Sequence, residues 1–266
     1  MNEESERDWV ERQTPDPEEL YIYLKSAVDN LRNNEDNIPG AKHQVEDSIA
    51  NAWYSLDNGD ENNWSFQLEP YLVFNLKSKR DFSDGRGQAR LGGNIVVQDG
   101  EYQNFSSSLI LAIQHPENED EDLPAGLNHC CVDNAAEEIS SRHTFYHILE
   151  RIHWDIGTGD EQDKNKPVSH VKIGGELGSP AFDTDCEQWH YCPNHLDKPR
   201  IPHPPMDPIL VLNMIIEQYD SPESFNQHQW AGIVSEGESI LWNPYYEATH
   251  GMANYDRITI LELMNF

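Results

Sequence analysis

The chain has 266 residues, with 48 Asp and Glu against 18 Lys and Arg, a formal net charge of −30 and an apolar fraction of 37 %. That length and composition can bury a sizeable core, which excludes disorder throughout, and no apolar run reaches the roughly 18–20 residues that span a bilayer. The charge opposes non-specific binding to nucleic acid or anionic membrane; it fits adaptation to high salt, mimicry of a polyanion, or plain solubility.

The N-terminal MNEESERDWVER is acidic and polar, unlike a secretory signal, and residues 1–15 are expected to be flexible. Without an export signal the four cysteines, Cys130, Cys131, Cys186 and Cys192, read as free thiols or metal ligands rather than disulfides. A cytoplasmic location is expected. The first element is a helix in DPEELYIYLKSAVDNLRNN starting near Asp16, with Leu20, Tyr23, Leu24, Val28 and Leu31 recurring on one buried face. NIPG breaks the chain. AKHQVEDSIANAWYSL then reads as a second helix with Val45, Ile49, Ala52 and Trp53 on one side.

The period changes in the middle. WSFQLEPYLVFNLK, ARLGGNIVVQD and NFSSSLILAIQ read as three strands bounded by Gly, Asp and Ser turns. Their connections are too short for crossover helices, so antiparallel pairing is expected. After the charged loop PENEDEDLPAG, NAAEEISSR is a candidate short helix. RHTFYHILERIHWDI and VSHVKIGG add two strands joined by GTGDEQDKNKP. Little is regular from Ser179 to Pro208. Asp207-Pro208 then supplies an N-cap and a proline at the first helical position, and ILVLNMIIEQY is apolar nearly all round, as in a fully buried helix. SPESFNQHQWAGIVSEGESILW opens another helix, and ITILELMNF is expected to dock on the core. The expected fold is a single α+β domain over residues 1–266. Its antiparallel β-sheet of about five strands is packed by helices from the N-terminal and C-terminal segments.

Three constellations could carry chemistry. Strict alternation puts His147, Leu149, Arg151, His153 and Asp155 on one face of their strand, and Tyr146, Ile148, Ile152 and Trp154 on the other. A hairpin with VSHVKIGG would set His170 and Lys172 across from that polar row. Such a face could hold a phosphate, or could use His153, Asp155 and His170 in acid/base catalysis; it is equally what a solvated sheet face looks like. Cys186, His190, Cys192 and His195, with His203 nearby, offer the thiolates and imidazoles that zinc prefers, and His129, Cys130 and Cys131 could add to them. There is no CxxC pair, so a loop packed by Trp189, Tyr191 and prolines explains the stretch as well. The turn LKSKRDFSDGRGQAR carries Lys77, Lys79, Arg80, Arg86 and Arg90, the clearest basic cluster of an acidic chain, with Gly85 and Gly87 permitting close approach of a phosphate. It is a candidate contact for a protein partner or a nucleic acid. No GxSxG elbow, P-loop or GxGxxG is present. Arg142 to His147 has the R-x4-H spacing of HEPN ribonucleases, but it leads into a strand and lacks that family's helical context.

The stretch from RIHWDI through PVSHVKIGG to PRIPHPPMDPILVLNMIIEQY, about a quarter of the chain, resembles a family of prokaryotic proteins of unassigned activity. They share an H-x-x-x-G-G strand and a PR-x-P-x-PPMD lead-in to an apolar helix. The resemblance implies a mobile-element or defence setting and no particular reaction. CPNHLDKPRIPHPPMDPILVLNMI also resembles the HPN-to-WSP region of ubiquitin-conjugating enzymes, but no Cys follows the motif here, so transferase activity does not carry over. Two functions are therefore expected to compete. One is a non-enzymatic accessory protein of a prokaryotic system, binding a macromolecular partner through the basic turn. The other is a metal-dependent hydrolase, a nuclease or phosphoesterase, built on the His/Asp/Cys residues with or without zinc.

Overall fold

The computed structural model describes residues 14–34, 42–76, 86–114, 144–157, 168–174, 187–190, 200–218 and 227–252. Helix α1 (Pro17–Asn33) starts where the sequence says it should: Asp16 is extended and its carboxylate accepts the backbone N–H groups of Glu18 and Glu19 at 2.9 and 3.1 Å. These are donors the first turn cannot satisfy internally. Leu20, Tyr23, Leu24, Val28 and Leu31 are all buried. Pro15, at the end of the segment expected to be flexible, is buried and its carbonyl accepts from the Tyr102 hydroxyl at 3.0 Å. Helix α2 (Lys42–Asp57) buries Val45, Ile49, Ala52 and Leu56.

Strands β1 (Trp64–Asn75), β2 (Arg86–Gln98), β3 (Glu101–Gln114), β4 (Thr144–Ile156) and β5 (Ser169–Ile173) are the five expected, paired antiparallel in sequence order. Two short strands lie in the stretch read as irregular. β6 (Glu187–His190) runs parallel to the first half of β4, and β7 (Arg200–Pro202) pairs antiparallel with β5. The sheet thus has seven strands, in the order β1-β2-β3-β4-β5-β7 with β6 paired to β4. Neither short strand has the length or alternation that marks a strand in sequence; their partners define them. The fold class is α+β.

Helices α3 (Pro208–Gln218) and α4 (Gln227–Met252) join α1 and α2 in one core with a single face of the sheet. That core takes Leu72, Phe74, Leu91, Ile95, Phe105, Leu109, Trp154 and Val171 from the strands. Helix α3 buries Ile209, Leu210, Val211, Leu212 and Ile215. Its first residue, Pro208, rests on β2 at Gly93, where any Cβ would collide with the proline ring. Trp230 of α4 donates its indole N–H to Asn213 of α3 and Trp242 donates to the Pro205 carbonyl, both at 2.9 Å. No helix among the described residues is long and apolar enough to cross a membrane. The tail ITILELMNF and the candidate helix NAAEEISSR lie outside the described residues.

Asp207 caps α3 from a fully buried position, accepting the Leu210 N–H at 2.7 Å. Burial pushes its carboxyl up to about 7, against the lowering effect of the Leu210 and Ile209 amides and of Tyr23. The Tyr23 hydroxyl lies beside it without reaching hydrogen-bond geometry. Asp207 Oδ2 and Tyr23 Oη are both enclosed with no hydrogen-bond partner among the described residues. Burial raises the Tyr23 phenol too, and Asp207, Glu236 and Glu238 add to that rise. Five buried aliphatic side chains at about 2 kcal/mol each outweigh one carboxyl that can stay protonated rather than remain a bare buried charge.

Two predictions test this arrangement. Gly93→Ala should lower stability in urea titrations by about 1–3 kcal/mol through overpacking, whereas Gly232→Ala, on an open face of α4, should be neutral or stabilising by up to about 1 kcal/mol. Equal effects would show that the Pro208 contact is not a constraint. Asp207 has a folded pKa above its ordinary value of 3.8, so its contribution is fully present below about pH 4 and is lost as pH rises through about 7. Asp207→Asn, which keeps a good cap, should flatten the fall in urea midpoint over that window; an unchanged slope would refute the assignment.

Candidate functional site

Directly opposed residues of an antiparallel pair share a face and sit within reach of each other. On the sheet face away from the helices, the register aligns Gly92, Ser108, His153, Lys172 and Arg200 across β2, β3, β4, β5 and β7. The next rung aligns Asn94, Ser106, Asp155, His170 and Pro202. Tyr71 extends the first rung toward β1. Its ring lies over Gly92, which leaves no room for a Cβ.

Asp155 is the centre. Its Oδ1 accepts from His153 Nε2 at 2.5 Å and its Oδ2 from Lys172 Nζ, with His170 Nε2 at 3.6 Å from the same oxygen. All four side chains are at most about one-fifth exposed, and His170 is buried. Burial alone would raise the Asp155 carboxyl. The His153 hydrogen bond and charge, then those of Lys172, more than offset it and hold the pKa at about 2. Bonding through Nε2 leaves Nδ1 as the second polar atom of His153; it is enclosed and has no hydrogen-bond partner among the described residues, and the same holds for Ser108 Oγ in the same rung. The Tyr71 phenol is raised by burial, which outweighs the lowering influence of Ser108 and Arg151 nearby. Its hydroxyl thus approaches Ser108 without a hydrogen bond of good geometry.

One residue reorganises the faces of β4. Leu111 pairs with Glu150 but Ala112 pairs with Ile148, so Leu149 is an extra residue, a β-bulge. Tyr146 and Ile148 therefore join Ile110 and Ala112 on the outer face, in a small apolar cluster with Tyr71, and do not share the face of Ile152 and Trp154. His147 pairs with Ile113 and departs from the face of Arg151, His153 and Asp155. Strict alternation had grouped these residues the other way, and the bulge corrects it.

The other candidate residues fall as follows. Arg90 is buried within β2, its guanidinium 4.3 Å from the centre of the Tyr146 ring, so it belongs to the outer-face cluster and not to an exposed turn. Arg86 opens β2 opposite Gln114. Lys77, Lys79 and Arg80 lie outside the described residues, as do Cys186, Cys192 and His195, and also His129, Cys130 and Cys131. His190 ends β6 in register with His147. His203 donates its backbone N–H to the Ser169 carbonyl at 3.3 Å, and its Nδ1 meets the Pro204 carbonyl at 2.7 Å. It stands apart from the Asp155 group. Among the described residues no three His, Cys, Asp or Glu side chains are set to hold a metal ion. At Asp155 the reason is visible, because Lys172 already occupies the carboxylate edge a cation would use.

Sequence reasoning missed Tyr71, Ser108 and Arg200. Their membership depends on long-range register, and Gly92 was the only hint, a strand glycine marking close approach of another group. Arg151 donates to the Gly174 carbonyl at 3.4 Å, and neither it nor the exposed Arg200 meets a carboxylate among the described residues. In a chain of net charge −30, Arg151, Lys172 and Arg200 thus lie, with the buried Arg90, on the sheet face that carries Asp155. Compared with protein-family models, curated proteins and solved structures, the chain matches none of them.

The folded Asp155 pKa lies below 3.8, so the stability it supplies is present above about pH 4 and is lost as pH falls through about 2. Asp155→Asn should remove on the order of 2 kcal/mol at neutral pH and weaken the acid limb of the stability profile between those limits. A variant with the same acid limb as the parent chain would contradict the pairing.

Proposed function

We propose that this chain is a non-enzymatic accessory protein of a prokaryotic system that binds a macromolecular partner, with the outer-face row of Arg151, Lys172 and Arg200 as part of the contact. The observation that carries this reading is the local excess of cation on that face of a strongly acidic chain. Arginine without an internal carboxylate partner is enriched at recognition surfaces, because its planar fork binds carboxylate or phosphate in two-point geometry. The saturation of Asp155 by His153 and Lys172 weighs against the hydrolase reading, since the carboxylate is committed as an acceptor and is held well below the range of a general base at neutral pH. The basic turn at Lys77, Lys79, Arg80 and Arg86 joins β1 to β2 and is the second candidate contact in the same reading. The overall charge selects a partner with a localised acidic group over an extended polyanion, because long-range repulsion acts on every charge beyond the patch.

Two charge-reversed proteins test it. One carries Arg151→Glu with Arg200→Glu, the other Lys77, Lys79, Arg80 and Arg86 all changed to Glu. Tagged chains recovered from the source cells after cross-linking should retain a specific partner with the parent sequence and with Gln67→Ala. Recovery should fall at least about tenfold with one or both reversed proteins, the loss expected for removing charge-assisted contacts. Identical partner recovery from all four would sink the proposal.

A further inference from the structure

The row on the outer face is more selective than a patch of positive charge. Burial falls along it from one end to the other: Ser108 is 4 % exposed, His153 and Lys172 about one-fifth, and Arg200 is exposed. At the buried end, Ser108 Oγ and His153 Nδ1 are enclosed polar atoms with no hydrogen-bond partner among the described residues, and the Tyr71 hydroxyl stands beside Ser108. Enclosed polar groups without a partner are uncommon in folded proteins, and these two differ from others such as Ser107 Oγ and Trp154 Nε1 in standing on the outer face, in the rung that leads to Lys172 and Arg200. At the open end, Arg151 and Arg200 meet no carboxylate among the described residues, while Lys172 is shared with Asp155.

Charge and donor number narrow the ligand. Among the described residues, Lys172, Arg151 and Arg200 supply three positive charges and Asp155 removes one, while Arg90 and Glu69 near Tyr71 offset each other, which leaves a local excess of two before either imidazole is counted. A carboxylate has one negative charge and two oxygens. It cannot engage two guanidinium forks, a hydroxyl and an imidazole at once. A phosphate monoester has nearly two charges near neutral pH and three terminal oxygens, each able to accept more than one bond. Size agrees: β3 to β7 is three strand spacings, about 14 Å, and Arg151 to Asp155 is about 13 Å along β4. That footprint suits one phosphate with its substituent and is too short for a run of nucleic-acid backbone, which the −30 chain would repel beyond a Debye length of about 10 Å.

We infer that the rung Ser108–His153–Lys172–Arg200, with Arg151 and Tyr71, is a binding site for a phosphate monoester borne by the partner or by a small ligand. This rests on the partner-binding reading and deepens it by naming the group recognised. Arg151 and Arg200 grip the terminal oxygens from the solvent side, and Ser108 and His153 meet the oxygen that reaches deepest. Asp155 does not touch the ligand. It is a positioning residue that fixes the His153 ring through Nε2 and aims the Lys172 ammonium.

Calorimetric titration of the full chain at pH 7.5 in low salt, with inorganic phosphate and phenyl phosphate as probes and acetate and glutarate as controls, tests the inference. Both phosphates should bind saturably at one equivalent, and neither carboxylate should compete. Arg200→Gln, at an exposed position where folding is not at stake, should weaken phosphate binding at least about tenfold, and Arg151→Gln likewise. Proton NMR of the His153 ring should shift on phosphate addition in the parent chain, and in Asp155→Asn, recorded without denaturant where it is still folded, that phosphate-dependent shift should be reduced. An absence of saturable phosphate binding in the folded parent chain would overturn the site, as would equal binding by Arg200→Gln. If phosphate fails while the cross-linked partner still depends on Arg151 and Arg200, the phosphate assignment falls and the partner reading stands. Arms with free phosphate and phenyl phosphate separate a ligand that needs only the anion from one that needs the ester substituent.

Discussion

The position of α3 constrains most of the molecule. A helix apolar on nearly every side can be stable only when it is surrounded, and here the sheet, α1 and α4 surround it. Pro208 settles onto Gly93, and Asp207 turns the chain into the helix from a fully buried position. With one sheet face committed to that helix and its neighbours, the charged residues of the long central strands have only the outer face left. The cationic row follows from where α3 went.

Much of this architecture was legible from local pattern. The five strands read from the sequence are all present, although alternation breaks at a register shift in the pairing of β1 with β2, of β2 with β3 and of β3 with β4, and the caps of α1 and α3 were visible in Asp16-Pro17 and Asp207-Pro208. The meeting of His153, Asp155, His170 and Lys172 was also legible, because a hairpin with a short, predictable register fixes who faces whom. What sequence could not supply was anything set by distant partners. β6 and β7 exist only because β4 and β5 offer free edges to them. Ser108 looked like one of three equivalent serines until the β3–β4 register chose it. Leu149 is an ordinary residue in an alternating run, and nothing in its type announces a bulge. Tyr71 joined the site through a close approach over Gly92 that no periodicity encodes.

The partly buried Asp155 and the fully buried Asp207 contrast in a useful way. Asp155 and Asp207 are both removed from most solvent, yet their pKa values move in opposite directions. Asp155 has a donor on each oxygen, His153 on one and the Lys172 ammonium on the other, and their attraction exceeds the desolvation penalty. Asp207 has only backbone amides and a phenol, and desolvation prevails. The same side chain is therefore a fixed charge at one site and a cap that readily takes up a proton at the other, and that difference, rather than the presence of acid groups, separates the outer side of the sheet from the helix-facing side.

The bulge at Leu149 has a consequence for how the family of sequences compatible with this fold can vary. Because it inserts one residue between two stretches of β4, the strand presents Tyr146 and Ile148 and then Arg151, His153 and Asp155 to the same side. Length, and not residue identity, is what this position encodes. Many side chains would serve at Leu149, which is half exposed, but loss of the residue would turn one half of the strand over relative to the other, moving either the aromatic cluster or the charged row from the outer face to the helix-facing side. Divergent sequences should thus drift freely in composition here while holding the spacing between their aromatic and their basic residues constant.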